Sequence, residues 1–411
     1  MSNSLEILPI VIFGLVLGFA ASGSAGAQDG AAMESAVNQF GLELFHEVRA
    51  QVAGEPNVIV SPVSAALALA MVHLGAGGAT EQAMKATLHL PAVEREELVS
   101  AYRRLLDELN GTDSAVALDL ANSIWLNRRH QFNSDYLRQV TECFAAELAR
   151  VDFSDPTSAD VINNWVSDAT QGKIDRIVDA VEPDLAMILI NALYFKADWQ
   201  VTFDTSLTRP QPFRLPDGST VDHPLMQVSE RFRYLETPEL QMIELPYAGQ
   251  QHSMFIILPA DTVAIANFLD QLTFAAWNEY VNKLKSQKGT LVLPRFKLTS
   301  DYILNRALQN LGMETAFVPG RADFSPMLAD LDNSGSPELF ISEVRQKTFI
   351  EVIETGTEAA AVTSVGIRLT SIQQDEPKEF FMQVDRPFAF VLADKGTGTL
   401  LFIGQVGDPA R

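Results

Sequence analysis

Six histidines, His46, His73, His89, His130, His223 and His252, are the first residues to test for chemistry. None stands in an HExxH arrangement and none pairs with a cysteine at ligand spacing, so a zinc site of the common kinds has no anchor. Cys143 is the only cysteine, which excludes a CxxC motif and an internal disulfide. A nucleophilic serine would stand in a GxSxG elbow, and the chain has none. The glycine-rich GAGGAT, Gly75 to Thr80, lacks the Lys-Ser/Thr of a phosphate loop and reads as the stop of one helix and the cap of the next, with Thr80 as the cap. The 52 carboxylates fall in no motif that pairs two of them for acid–base work. These residues point away from an enzyme, and no metal or cofactor is expected.

The clearest pattern is elsewhere, in ETGTEAAAVTSVGIRLTS, Glu354 to Ser371. Every second residue from Thr357 gives Thr357, Ala359, Ala361, Thr363, Val365, Ile367 and Leu369, a small or apolar set. The intervening set, Glu358, Ala360, Val362, Ser364, Gly366, Arg368 and Thr370, tolerates charge. Period two of this kind marks a half-buried strand. Its first half nevertheless consists of the smallest side chains, which hold a strand in place poorly. The pattern describes a strand built to move.

The surrounding elements must position that segment. Ala31 to Gln51 spaces Val37, Phe40, Leu44, Phe45 and Val48 as an amphipathic helix. Asn57 to Gly78 reads as a short strand, a Ser-Pro helix start and a buried helix ending in glycines. Helical periodicity continues through EQAMKATL, AYRRLLDEL and Val161 to Ile174. From Leu185 onward strand runs dominate, among them LAMILINALYF, QMIELPY, HSMFIILP, TLVLPRFKL, LFISEVRQKTFIEVIE, FFMQVDRPFAFVLAD and GTLLFIGQV. Further helices are expected near Ala264 to Leu284 and Asp301 to Leu311. The whole is an α+β arrangement with no repeat and no low-complexity linker, read as one domain over 28–411.

Residues 1–27 are set aside as a signal peptide. The apolar run Ile7 to Ala21 followed by SGSAGA predicts cleavage near Ala27, with an uncleaved anchor as the alternative because the n-region has no Lys or Arg. A secreted or periplasmic location follows, and Asn110-Gly111-Thr112 is a glycosylation sequon if a eukaryote exports the chain. The formal charge of −22 argues against nucleic acid and anionic membranes as partners.

Several segments then carry a family likeness: NVIVSPVS (Asn57 to Ser64), LGAGGATEQAMKATLHL, INNWVSDATQGKI, INALYFKADW, IELPY, SMFIILP, LPRFKL, IEVIETGTEAAAVT, VDRPFAF and LFIGQV. With these, in this order, the chain resembles the serpins across Ala31 to Pro409. The resemblance implies a fold of three β-sheets with about nine helices and an exposed reactive-centre loop, here about 354–380. It implies a suicide inhibitor of serine proteases. The target enzyme attacks the loop, and the cut loop enters the main sheet before the covalent acyl complex hydrolyses. A monomer is expected.

Carried over residue by residue, the resemblance puts the hinge at Glu354, Gly356, Thr357, Glu358, Ala359, Ala360 and Ala361. It puts the scissile bond at Thr370-Ser371, suited to an elastase-like enzyme. Leu369-Thr370 would serve chymotrypsin-like or elastase-like enzymes and Arg368-Leu369 trypsin-like ones. The stretch after the bait, Ile372 to Val384, looks several residues longer than the family's. Ser61, Ser64, Asn191 and Gln346 match a cluster that governs sheet opening, with Gln346 where the family often has histidine. Trp199 and Arg295 match the entry point of insertion, Arg295 as the partner of Glu354. The helix Glu94 to Leu109 matches the heparin-binding element of some serpins, but carboxylates outnumber its Arg95, Arg103 and Arg104, which argues against heparin. The alternative reading is a non-inhibitory serpin, a binding or chaperone-like protein; such members typically break the hinge with bulky, charged or proline residues, and here GTEAAA is intact.

Overall fold

The computed structural model describes residues 22–109, 116–144, 146–329, 339–357 and 379–411. The apolar leader, Asn110, and the loop residues Glu358, Ala359, Ala360, Ala361, Arg368, Leu369, Thr370 and Ser371 lie outside the described residues. The helices are α1 (Ser22–Gln51), α2 (Pro62–His73), α3 (Gly78–Thr87), α4 (Arg95–Leu109), α5 (Ser134–Phe144), α6 (Ser158–Ala169), α7 (Ile265–Asp270), α8 (Phe274–Lys283) and α9 (Asn305–Leu308). The strands are β1 (Asn57–Val60), β2 (Val116–Asn127), β3 (Glu147–Val151), β4 (Met187–Asp198), β5 (Arg209–Arg214), β6 (Thr220–Glu236), β7 (Leu240–Pro246) and β8 (His252–Pro259). They continue as β9 (Lys285–Pro294), β10 (Phe296–Ile303), β11 (Arg345–Val352), β12 (Gly356–Thr357), β13 (Phe380–Gln383), β14 (Phe388–Asp394) and β15 (Leu400–Val406).

Six strands form the main sheet in the order β10-β11-β12-β4-β2-β3. The remaining nine follow the path β1-β15-β14-β8-β7-β6-β9-β13, with β5 on β6. The long strand β6 changes partner along its length, from β5 at Thr220 to Leu225 to β7 at Arg233 to Glu236. This array is therefore two sheets that share β6 and β9. Three sheets and nine helices among the described residues are what the sequence led us to expect.

Local chemistry explains the elements that matter most. Helix α2 starts where the Ser61 hydroxyl accepts from the Ser64 amide at 3.3 Å, with Pro62 in the first turn, and all twelve of its residues are buried. It is apolar all round because it is packed all round. Strands β8, β14 and β15 are buried at every position, so their continuous apolar runs carry no alternation.

The structure departs from the sequence reading at four places. Helix α3 begins at Gly78 behind Gly77, and the Thr80 hydroxyl accepts from the Asp323 amide at 2.9 Å instead of capping the helix. The expected helix over Asp301 to Leu311 is strand to Ile303, because β10 pairs with β11 as far as Ile303 opposite Arg345. Only Asn305–Leu308 is α-helical, followed by a wide turn over Gln309–Met313 in which Gly312 has φ of 115°. The strand run beginning at Leu339 becomes β11 only at Arg345. Before that, the Ile341 amide bonds to Ala316 O at 2.9 Å, and Asn305 ties down both Ser342 and Val344. Strands β2 and β3, not read from the sequence, complete the main sheet beyond β4.

Candidate functional site

The main sheet has three zones along the seam between β4 and β11. In the middle the two strands pair directly and in parallel, Lys347 with Ala192 and Thr348 with Leu193. At the top, β12 lies between them, antiparallel to both, with Gly356 opposite Asp198 and Thr357 opposite both Ala197 and Val352. At the foot, two adjoining cavities of about 180 and 100 Å³ open among Ile188, Ile190, Leu185, Met187, Ser342 and Glu343. The segment flagged for its small side chains therefore has its first two positions already in the sheet.

Each residue at the top is fixed by several bonds. Gly356 admits no side chain, since a Cβ there would lie 2.1 Å from Ala197 O. Thr357 is fully buried, and its hydroxyl meets the Tyr247 hydroxyl at 2.5 Å. The Trp199 indole nitrogen donates to Ile353 O at 2.9 Å and its amide to Thr355 O at 2.8 Å. Tyr247 stacks on Trp199 with ring centroids 4.3 Å apart and meets Phe195 edge-on at 5.0 Å.

Glu354 anchors the turn that leads in. Its buried carboxylate accepts from Arg295 Nε at 2.8 Å and Nη2 at 2.5 Å, and from the Thr208 hydroxyl at 2.5 Å. Burial pushes this carboxyl up, but the bonds from Arg295 and Thr208 outweigh it and hold the group below its ordinary value. A carboxyl depressed in the folded chain stabilises it above the unfolded value near 4.5 and loses that contribution as pH falls through the folded value. Glu354→Gln should therefore lower the unfolding midpoint at pH 7. Arg295 is 43% exposed, so water screens part of the pair, and about 1 to 2 kcal/mol is expected. Thermal unfolding across pH should show the gap to the parent narrowing below about pH 4.5. A gap independent of pH would mean that the carboxylate charge has no part in it.

Beneath the sheet, Gln346 clamps Ser61 in both directions. Its Oε1 accepts from the Ser61 amide at 3.0 Å and its Nε2 donates to Ser61 O at 2.9 Å. Ser61, Ser64 and Gln346 are all buried. Asn191 lies on β4 opposite Asn122, one residue before the Ala192 that pairs with Lys347 of β11. Ser61, Ser64 and Gln346 thus meet beneath the sheet, with an amide side chain where an imidazole would titrate, and Asn191 stands on the backbone of β4 beside the direct pairing.

The sequence reading missed Tyr247 and Thr208. Tyr247 belongs to IELPY, quoted for its likeness alone; a buried aromatic with a hydroxyl at a strand end was the available signal. Of the α4 arginines, Arg95 is committed within the fold, to Leu74 O and Glu81. No helix among the described residues is long and apolar enough to cross a membrane, and none of their His, Cys, Asp and Glu residues gather as a metal-holding group.

Comparison with known proteins follows this geometry. The family model described as serpin, serine protease inhibitor, matches residues 35–409. The leukocyte elastase inhibitor of Xenopus laevis is 35% identical over 388 residues, covering 92% of this chain and 99% of that protein. The solved native structure of the thermophilic serpin tengpin superposes with a TM-score of 0.80 at 31% identity, over 91% of this chain and 94% of its own. Human thyroxine-binding globulin, at 24% identity and a TM-score of 0.83 over 93% of this chain and all of its own, shares the fold. The family model spanning nearly the whole described chain, with relatives matched along their full length, makes this chain a member of the serpin family.

Proposed function

We propose that the chain is an extracytoplasmic suicide inhibitor of serine proteases, acting as a monomer with Thr370-Ser371 as its scissile bond. The observation that carries this reading is Thr357, buried between β11 and β4 at the head of a segment of small side chains. The Xenopus laevis relative is an elastase inhibitor by name, which supports the small Thr370 as bait for an elastase-like pocket.

In this mechanism the target's serine Oγ attacks the Thr370 carbonyl carbon. The bond to Ser371 breaks, the new Ser371 amine leaves with a proton, and an ester joins Thr370 to the protease. The inhibitor contributes no catalytic group. Its part is to insert faster than water cleaves the ester. If the pairing of Thr357 with Ala197 continues residue by residue down β4, Ile367 arrives opposite Met187 and Leu369 opposite Leu185. Both of these line the cavities at the foot of the seam. The apolar face of the loop thus has space waiting where its larger side chains land.

The test is to mix the protein separately with pancreatic elastase, chymotrypsin and trypsin. Each mixture is run on a denaturing gel, and the released C-terminal peptide is weighed. A covalent complex with elastase and a peptide beginning at Ser371 is expected. A peptide beginning at Thr370 or Leu369 would move the bait to Leu369 or Arg368. Cleavage by all three with no complex would overturn inhibition in favour of a binding role.

A further inference from the structure

We propose that Tyr247 is a positioning residue for loop insertion: its buried hydroxyl holds Thr357 in the main sheet, so that insertion begins from a hinge already seated one residue deep. This rests on the inhibitory reading above. The evidence is geometric. Tyr247 is fully buried, its ring is held by Trp199 and Phe195, and Thr357 is the hydrogen-bond partner of its hydroxyl among the described residues. Burial keeps the phenol protonated far above neutral pH, so the two hydroxyls share one hydrogen bond in which either can donate. Withdrawal of the hinge would leave the Tyr247 hydroxyl buried without this partner, a costly state.

The placement also fits the direction of insertion. Thr357 is paired with Ala197 on one side and Val352 on the other. A strand growing downward from there keeps Thr357 where it is, so the bond to Tyr247 is common to the resting and the inserted loop. It acts as a pivot that need not break. The ring and the hydroxyl are separable: the ring packs, while the hydroxyl alone reaches the loop.

Tyr247→Phe keeps the ring and removes the hydroxyl, and Thr357→Val removes its hydroxyl partner at nearly constant shape. Amide hydrogen exchange of the intact protein at Gly356 and Thr357 is expected to quicken about tenfold in either variant, and no further in the double variant. Exchange at the directly paired Lys347 and Thr348 should not change. Unchanged exchange at the hinge, or equal quickening throughout β4 and β11, would overturn the proposal, the second by showing a general loosening. The second arm measures stoichiometry of inhibition with the protease that the parent traps. It should rise several-fold in Tyr247→Phe while the cleavage rate stays constant. Faster exchange with unchanged stoichiometry would overturn the positioning role. The exchange arm needs no protease, so failure of the parent to trap any enzyme, which would sink the inhibitory reading, is distinguishable from failure of the hinge contact.

Discussion

Thr357→Arg is expected to turn the inhibitor into a substrate: the loop is cut at an undiminished rate, the covalent band disappears, and stoichiometry of inhibition rises at least about tenfold. The reason lies in where the side chain must go. Thr357 is fully buried against the Tyr247 hydroxyl, in a pocket whose far side is the Trp199–Tyr247 stack. A guanidinium there would be buried without a carboxylate built to meet it, which costs several kcal/mol even after relaxation. Each 1.4 kcal/mol added to the insertion barrier slows insertion tenfold, while hydrolysis of the acyl-enzyme, which occurs on the protease, is untouched. The branch therefore shifts to release. The proposed scissile bond, Thr370-Ser371, is thirteen residues along the sequence from Thr357, so recognition by the protease is expected to stay the same. Thr357→Ser, which keeps the hydroxyl, should remain an inhibitor. Normal stoichiometry in Thr357→Arg would mean that a buried charge at this position does not slow trapping, and the proposed mechanism would fall.

How far such a site shows in a sequence depends on whether its determinants are local. The α2 start was legible because a cap, a proline and an apolar run act within a few residues. Gly356 and Thr357 were legible because a segment held between two strands needs small side chains. Strand β2 was not. Its inner half carries buried Asn122, Ser123 and Asn127, which blur the apolar pattern. Asn127 bonds to Pro183 O and Leu185 O, and Trp125 donates to Ser123. Gln346 and Ser61 clamp each other across 285 residues, and the family pattern located them where spacing could not. Tyr247 is 110 residues from Thr357, and nothing in IELPY alone says that its hydroxyl will meet a loop. The boundary errors have the same origin. Strand β10 runs on through Asp301 because Arg345 and Lys347 of the neighbouring strand hold its carboxylate, overriding a weak helical signal.

Cleavage of the loop between Thr363 and Ser371 by a protease that escapes trapping should raise the unfolding temperature by more than about 10 °C. The uncut molecule holds a sheet that is occupied at the top, paired through Lys347 and Thr348 in the middle, and open at the foot. Filling the seam would exchange that direct pairing for a strand bonded on both sides and would place Ile367 and Leu369 beside the cavities at its foot. The loop cannot do this while its far end is held by β13, which pairs with β9 from Phe380 to Gln383. On the proposed mechanism, one peptide bond would separate the present fold from a more stable one, and the uncut fold would be kinetically trapped. At about 2.1 cal/mol/K per residue over residues 35–409, each degree of midpoint shift corresponds to roughly 0.8 kcal/mol, so a 10 °C rise reads as about 8 kcal/mol. Cleavage of Thr357→Arg should yield a smaller rise, because the inserted strand would have to carry the charge in the buried position of Thr357. Equal midpoints for intact and cleaved parent protein would show that the cut loop stays outside the sheet, and trapping by insertion would then have no driving force.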